Sequence, residues 1–314
     1  MSGTDLRFET IRVQDLHVLH QPGVPAAVVA QAIRLHRANF ERGREACEHW
    51  GPGSSVSHVL IRTPVGALDM AVKWNHWRGW RGALSDALHG SRARRALESS
   101  RRLAGTPVAQ AEVLALAERR RAGVVRESFL LTRFVAGADP LPVALARLRE
   151  SRRERRALAR ALGEAIGRLH AAGLDHRDLK HSNLLVDARG GIALLDLDAL
   201  GRLTPFAWRR RVRALGQLEA FARDLYAWLP SSDHARFLSA YLRVQPGLAA
   251  SRRRLVRDAL RSAGRRVERW RRREPRPSRH FPLAPRDTRP CTIADGEAAG
   301  PAPAAAWQPR GGMS

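Results

Sequence analysis

His176-Arg177-Asp178-Leu179-Lys180-His181-Ser182-Asn183, followed by Leu194-Leu195-Asp196-Leu197-Asp198, is the stretch on which the reading of this 314-residue chain turns. It begins just after the clearest helical pattern in the sequence. There Leu158, Leu162, Ile166 and Leu169 recur at helical spacing between Arg152 and Ala172, and Gly173 supplies a stop. Two short apolar runs, Leu184-Leu185-Val186 and Ile192-Ala193-Leu194-Leu195, flank Asp187-Ala188-Arg189-Gly190-Gly191 and predict a hairpin. A polar loop is thus enclosed between a helix end and a hairpin. Asp196 ends the second strand, thirteen residues past Asn183.

Upstream, Val56 to Arg62 and Leu68 to Trp74 read as strands joined by the turn Thr63-Pro64-Val65-Gly66. A helix is expected from Ser91 to Ala104, and a further strand from Phe129 to Val135. Downstream, the periodicity is helical from Pro205 to about Arg272. Strands come first and helices after, with the polar loop at the junction. This order predicts an α+β class, β-rich at the N-terminal side and mostly helical beyond it, and the length suits one two-lobed domain or two small domains. Residues 1–50 read as a leader of uncertain structure, 51–135 and 136–272 as the two lobes, and 273–314, rich in Pro, Ala and Gly, as a disordered tail.

The residue types in the loop suit phosphoryl transfer. That reaction needs the charge of the transferred phosphate neutralised, mostly by Mg²⁺, and a hydroxyl aimed in line at phosphorus. His176-Arg177-Asp178 with Asn183 fits the pattern H-R-D-x-x-x-x-N, whose carboxylate, here Asp178, accepts the hydroxyl proton. Asn183 and Asp196, facing each other across the hairpin, are the expected oxygen ligands of Mg²⁺. Lys180, two residues past the base, is placed to reach the γ-phosphate.

Lys180 and Lys73 are the two lysines of the chain, against fifty-three arginines. An ammonium is a compact point charge and a guanidinium a planar fork, so the two are not equivalent beside a phosphate. Lys73 closes Met70-Ala71-Val72-Lys73, which is similar to the V-A-I-K strand whose lysine holds the α- and β-phosphates of ATP. Such a lysine calls for a glutamate on the following helix. Glu98 is best placed, with Glu112 and Glu118 as alternatives. Gly51-Pro52-Gly53-Ser54-Ser55-Val56 lies where a phosphate cover belongs. It departs from G-x-G-x-x-G, yet Ser54, Ser55 and the backbone N–H groups offer donors; an ordinary loop is the alternative.

A formal net charge of +25 and a pI near 11.7 favour anionic partners, among them an anionic membrane surface or a phosphorylated substrate. Nucleic acid is disfavoured, because charge is its only support and the aromatic interleaving of a single-strand platform is missing. Cys47 and Cys291 have no metal-like spacing and predict no disulfide framework, so a reducing cytoplasm is expected. No uncharged apolar run reaches the roughly 20 residues needed to span a bilayer, and the N-terminus lacks a signal-peptide layout.

Taken together, Val72-Lys73, the helix with Glu98, Leu131-Thr132-Arg133 as hinge, His176 to Asn183 and Leu195-Asp196-Leu197-Asp198 resemble the protein-kinase-like superfamily. Within it, the chain resembles the bacterial lipopolysaccharide kinases that phosphorylate Kdo or heptose sugars. The stretch Arg236 to Leu242 is similar to that family's C-terminal helices. The resemblance implies a bilobal fold with ATP in the cleft, Mg²⁺ as cofactor, Asp178 as base, and Asn183 and Asp196 as metal ligands. Asp196-Leu197-Asp198 stands where protein kinases carry D-F-G, and no A-P-E follows. The long segment that docks a peptide is therefore missing, which favours a sugar or glycolipid acceptor. Lys180 argues the other way, since Asp-x-Lys is typical of serine/threonine protein kinases; that activity is the alternative, and a nucleotide-binding pseudokinase a further one. A glycolipid acceptor would put the protein at the inner face of the cytoplasmic membrane, with Arg209–Arg213 and Arg252–Arg272 as candidate contacts.

Overall fold

The computed structural model describes residues 7–51, 53–64, 66–204 and 206–272; the expected tail, 273–314, lies outside them. A hairpin of β1 (Glu9–Val13) and β2 (Leu16–His20) leads into α1 (Ala26–Arg42). Then come β3 (His49–Trp50), β4 (Ser54–Thr63), β5 (Gly66–Asn75), α2 (Gly79–His89), α3 (Arg92–Leu103), β6 (Ala109–Gln110), β7 (Val113–Arg121) and β8 (Val124–Arg133). Seven of these strands form one antiparallel sheet in the order β1-β2-β7-β8-β5-β4-β3.

The segment expected as a leader is thus part of the N-terminal lobe, a correction to the boundary at residue 51. β2 pairs with β7, and α1 packs on β4 and β5, burying Val28, Val29, Ala32 and Ile33. The sequence reading missed this because the run Gln21 to Ile33 carries two prolines, which mark only the turn before α1 and not its end. β4 alternates inward and outward, and its inward set is Ser55, Ser57, Val59 and Ile61. Two hydroxyls in a core need partners. The fully buried His36 of α1 provides them, with Nδ1 2.8 Å from Ser57 Oγ and Nε2 2.9 Å from Ser55 Oγ. Burial, then the charges of His76 and Arg37, bring the His36 pKa down to about 3.

The chain passes to the C-terminal lobe after β8. Leu131, Thr132 and Arg133 are still paired with Val72, Ala71 and Met70, so the crossing starts at Phe134, beyond the expected hinge. There follow β9 (Asp139–Pro140), α4 (Leu141–Arg147), α5 (Arg152–Ala171), β10 (Leu174–His176), β11 (Leu184–Val186), β12 (Ile192–Leu194), β13 (Leu200–Arg202), α6 (Ala207–Leu225), α7 (Ser231–Arg243) and α8 (Arg252–Arg271). α5 ends at a glycine in the left-handed region, Gly173 with φ +72°, and the next strand opens the polar loop. The close approach of α7 falls on Gly163 and Gly167 of α5, where an added Cβ would meet the backbone of Phe237 and Tyr241. β11 and β12 form the expected hairpin, flanked by β9 on one side and β6 on the other. One core runs from α3 through this hairpin to α5, α6 and α8. The mixed α+β, two-lobed arrangement is the one expected.

Candidate active site

β10 and β13 pair antiparallel and brace the polar loop, while the β11–β12 hairpin closes it from below. His176 Nε2 lies 3.0 Å from the Leu195 carbonyl, and Leu195 N–H donates to the Asn183 carbonyl at 2.9 Å. These two bonds tie both ends of the loop to the strand that carries Asp196. Asn183 donates its amide N–H to the Asp178 carbonyl at 2.9 Å, so its side-chain oxygen is the atom that could face a cation. Asp178 itself is half exposed. Gln217 of α6 donates to its Oδ1 at 3.0 Å, and Lys180 Nζ lies 3.2 Å from its Oδ2.

Lys73 of β5 pairs with Asp196 Oδ1 and lies 3.7 Å from Asp198 Oδ1, so the N-terminal sheet is joined to the loop at this point. Asp196 takes a left-handed backbone, φ +58° and ψ +49°, as it turns out of β12. A non-glycine residue held there marks a constrained position. Burial pushes the Asp196 carboxyl up, but the Lys73 ammonium and hydrogen bonds from Asp198 and Lys73 outweigh it and hold the group well below the usual range. Burial, with Asp196 beside it and despite Lys73 and Arg92, pushes Asp198 up to about 7. Two carboxyls are thus crowded on one ammonium, and the pair titrates together.

An oxygen set of Asp196, Asp198 and the Asn183 amide suits Mg²⁺, which takes few protein ligands and prefers oxygen. The crowding of the two carboxyls is the feature of the fold that fits a divalent cation there. No group of three His, Cys, Asp or Glu side chains with metal-binding geometry occurs among the described residues, so the fit rests on the asparagine as third donor.

Two expected site residues lie elsewhere. Glu98 is exposed on the outer face of α3, whose buried positions are Ala93, Ala96, Leu97, Ser99, Ser100 and Leu103. It makes no ion pair among the described residues; the acidic partner of Lys73 besides Asp196 is Asp198, which Arg92 of α3 also approaches at 3.6 Å. The alternatives are engaged too: Glu112 with Arg133, and the buried Glu118 with Ser91 and Arg120. Ser55 is fully buried and bonded to His36, with His76 Nε2 at 3.2 Å, so its hydroxyl holds the sheet to α1 and is not turned to the cleft. Ser54 opens β4 at the loop, half-buried, with its backbone opposite Asn75.

Besides Gln217, three residues of this neighbourhood escaped the sequence. His49, at the β3 end of the glycine loop, is near enough to feel Lys180, Lys73 and Asp196. Its side chain is exposed, yet partial desolvation and then the charges of Lys180 and Lys73 lower its pKa. Asp175 is fully buried next to the loop, with both side-chain oxygens lacking hydrogen bonds, and burial raises its pKa. Arg213 lies 3.8 Å from it and donates to the Arg177 carbonyl at 3.1 Å. An acidic residue inside the apolar strand Leu174–His176 was the one signal available. A separate apolar cavity of about 750 Å³ lies behind the loop among α4 to α8, with His181 and Leu215 on its wall; its lining of leucines does not suit a charged nucleotide.

Residues 73–241 match the model of the lipopolysaccharide kinase (Kdo/WaaP) family. The chain is 30% identical over 237 residues to a 3-deoxy-D-manno-octulosonic acid kinase of Stenotrophomonas maltophilia (strain K279a), covering 68% of this chain and 89% of that protein. A protein of the same description from Xanthomonas euvesicatoria pv. vesicatoria (strain 85-10) is 46% identical over 52 residues, 16% of this chain and 21% of the relative. Among solved structures, WaaP in complex with acyl carrier protein aligns with a TM-score of 0.50 at 24% identity, over 73% of this chain and 91% of that one, a likeness of fold. The match that begins at Lys73 and runs through the Asp178 loop to Tyr241 makes this chain a member of the lipopolysaccharide kinase (Kdo/WaaP) family.

Proposed function

We propose that this kinase transfers the terminal phosphate of ATP to a hydroxyl of Kdo or of a neighbouring sugar in a lipopolysaccharide core, with Mg²⁺ as its cation. The observation that carries the reading is the contact of Lys73 with Asp196 and Asp198 over the loop of Asp178. It supports the reading because an ammonium that could anchor a nucleotide and a pair of carboxyls meet where the N-terminal sheet reaches the loop that carries half-exposed Asp178.

In this reading Asp178 accepts the proton of the sugar hydroxyl as the new O–P bond forms and ADP departs. Gln217 holds Oδ1 of Asp178, which leaves Oδ2, beside Lys180, to meet the acceptor hydroxyl. Lys180 neutralises charge on the phosphate in transit. Lys73 holds the α- and β-phosphates. Mg²⁺, when bound, neutralises the charge that develops between the β- and γ-phosphates. Asn183, Asp196 and Asp198 would hold it. Only a 3-10 turn and β13 lie between Asp196 and α6, too little chain for a peptide-docking segment, which favours a glycan over a protein acceptor. No described helix is long and apolar enough to cross a membrane, and contact with an anionic leaflet would be peripheral.

An acceptor screen with γ-labelled ATP tests the proposal: Kdo-containing oligosaccharide, heptose-containing core and a generic protein substrate, each with wild type and Lys73→Ala. Label on a sugar that disappears with Lys73→Ala supports it. Label on protein alone would make the alternative the better reading.

A further inference from the structure

Helix α2 is built inside out. Its side toward β8 is made of small residues, Gly82 and Ala83, while Trp80, Leu84 and Leu88 point to solvent with exposures of 73%, 64% and 71%. These three recur at i, i+4 and i+8, so they form one stripe along the helix. Singly exposed apolar residues are ordinary, but a stripe of a tryptophan and two leucines marks a surface that something covers.

The surroundings indicate what that is. Residues 77–102 carry seven arginines and two carboxylates. The one acid of α2, Asp86, is taken up by Arg78 at 3.2 Å and Arg95 at 3.3 Å, and Arg81 stands exposed beside the stripe. Trp80 is braced from beneath, edge-on to Trp77 at 6.0 Å with the Arg126 guanidinium over both rings. A short helix with an apolar face, a Trp at one end and guanidinium groups along its flanks is the pattern of a segment lying in the headgroup layer of an anionic bilayer.

We infer that α2 docks the protein on an anionic lipid surface, inserting Trp80, Leu84 and Leu88 while the flanking arginines meet the headgroups. The contact opens next to the chemistry, since Arg95 of α3 holds Asp86 and Arg92 of the same helix reaches Asp198. The inference deepens the proposed function and rests on its lipid-borne acceptor for its purpose, but it is tested apart from it. It also moves the membrane contact from Arg209–Arg213 and Arg252–Arg272 to the N-terminal lobe.

The test is co-sedimentation of the full chain with vesicles of phosphatidylethanolamine and phosphatidylglycerol, against phosphatidylcholine alone, at low and high salt. The variant carries Trp80→Ser, Leu84→Ser and Leu88→Ser together; all three side chains are exposed, so the fold is kept, and unchanged thermal unfolding verifies this. Wild type should bind the anionic vesicles and keep part of that binding at high salt. The triple variant should partition roughly tenfold less or worse, and what binding is left should vanish with salt. Transfer to a water-soluble sugar acceptor should be equal in the two proteins; if neither transfers at all, the proposed function fails while the vesicle result stands by itself. Equal vesicle binding by wild type and variant overturns the inference. So does a wild type that ignores vesicles because the stripe is covered by its own chain, or that sediments as a dimer which the variant abolishes.

Discussion

The approach of α7 to α5 at Gly163 allows a sharp test of how the C-terminal lobe is held. A Cβ at residue 163 would fall inside van der Waals contact with the Phe237 carbonyl oxygen and 3.0 Å from the Ala240 Cβ. Both obstacles belong to a packed backbone and a methyl group, so neither can swing aside. The helices must part, and overpacking of this kind costs about 1–3 kcal/mol or more. Alanine also gains about 1 kcal/mol of helix propensity over glycine, which offsets part of that cost. Gly264 of α8 isolates the second effect, since an added Cβ there meets nothing within 4 Å. Gly163→Ala should therefore lose about 2 kcal/mol at the upper range of overpacking, while Gly264→Ala gains about 1 kcal/mol. Urea midpoints at constant slope measure both. Because α5 leads into the Asp178 loop, Gly163→Ala should also lower turnover. Two alanine variants that both stabilise the protein would refute the packing argument.

Other expectations follow from the same geometry. Burial lowers the pKa of His36 and His170 to about 3, and burial with Lys180 lowers His181 to about 4. The unfolded chain, with imidazoles near 6.5, then takes up protons first, so stability present above pH 6.5 is lost as the pH falls toward 4, by up to about 1.4 kcal/mol per unit for each histidine. Urea unfolding at several pH values would contradict this if stability stayed flat from pH 7 to 5. Glu98→Gln should leave turnover within about threefold, whereas Asp198→Asn should cost roughly a hundredfold, the scale of removing one electrostatic group at a reacting centre; the reverse ranking would restore Glu98 as partner of Lys73. Ser55→Ala should destabilise by about 1–3 kcal/mol by orphaning buried His36, with KM for ATP unchanged. A raised KM with unchanged stability would return Ser55 to the phosphate cover.

The loop from His176 to Asn183, the hairpin and the strand of Lys73 were legible because local spacing determines them: a capped helix, two short apolar runs and a two-residue alternation. Glu98 was misplaced although the sequence held the answer. Ala93, Ala96, Leu97 and Leu103 already mark the inward face of α3, and a residue one step past Leu97 turns about 100° away from it. Ser55 misled for a different reason. Its partner His36 lies nineteen residues upstream on a helix, and no local pattern reveals a hydrogen bond across that distance. His49 joins this neighbourhood only through tertiary placement, whereas Asp198 stood in the motif two residues past Asp196 but its contact with Lys73 of β5 did not show in the sequence. The N-terminal hairpin joins the sheet by pairing β2 with β7, about a hundred residues on, and pairings of that separation leave no periodic trace. Helix α2 defied the usual rule that the large apolar face is the buried one.

The central claim is that Asp178 takes the proton of a sugar hydroxyl in a cleft where Lys73 anchors the nucleotide. Its most direct test is single-turnover transfer of label from γ-labelled ATP to a Kdo-containing acceptor by wild type and Asp178→Asn, with nucleotide affinity measured in parallel. The account predicts label on the sugar with wild type, transfer reduced by about 10² to 10⁴ in the variant, and nucleotide affinity within a few-fold of wild type. Equal transfer by the two proteins would contradict it.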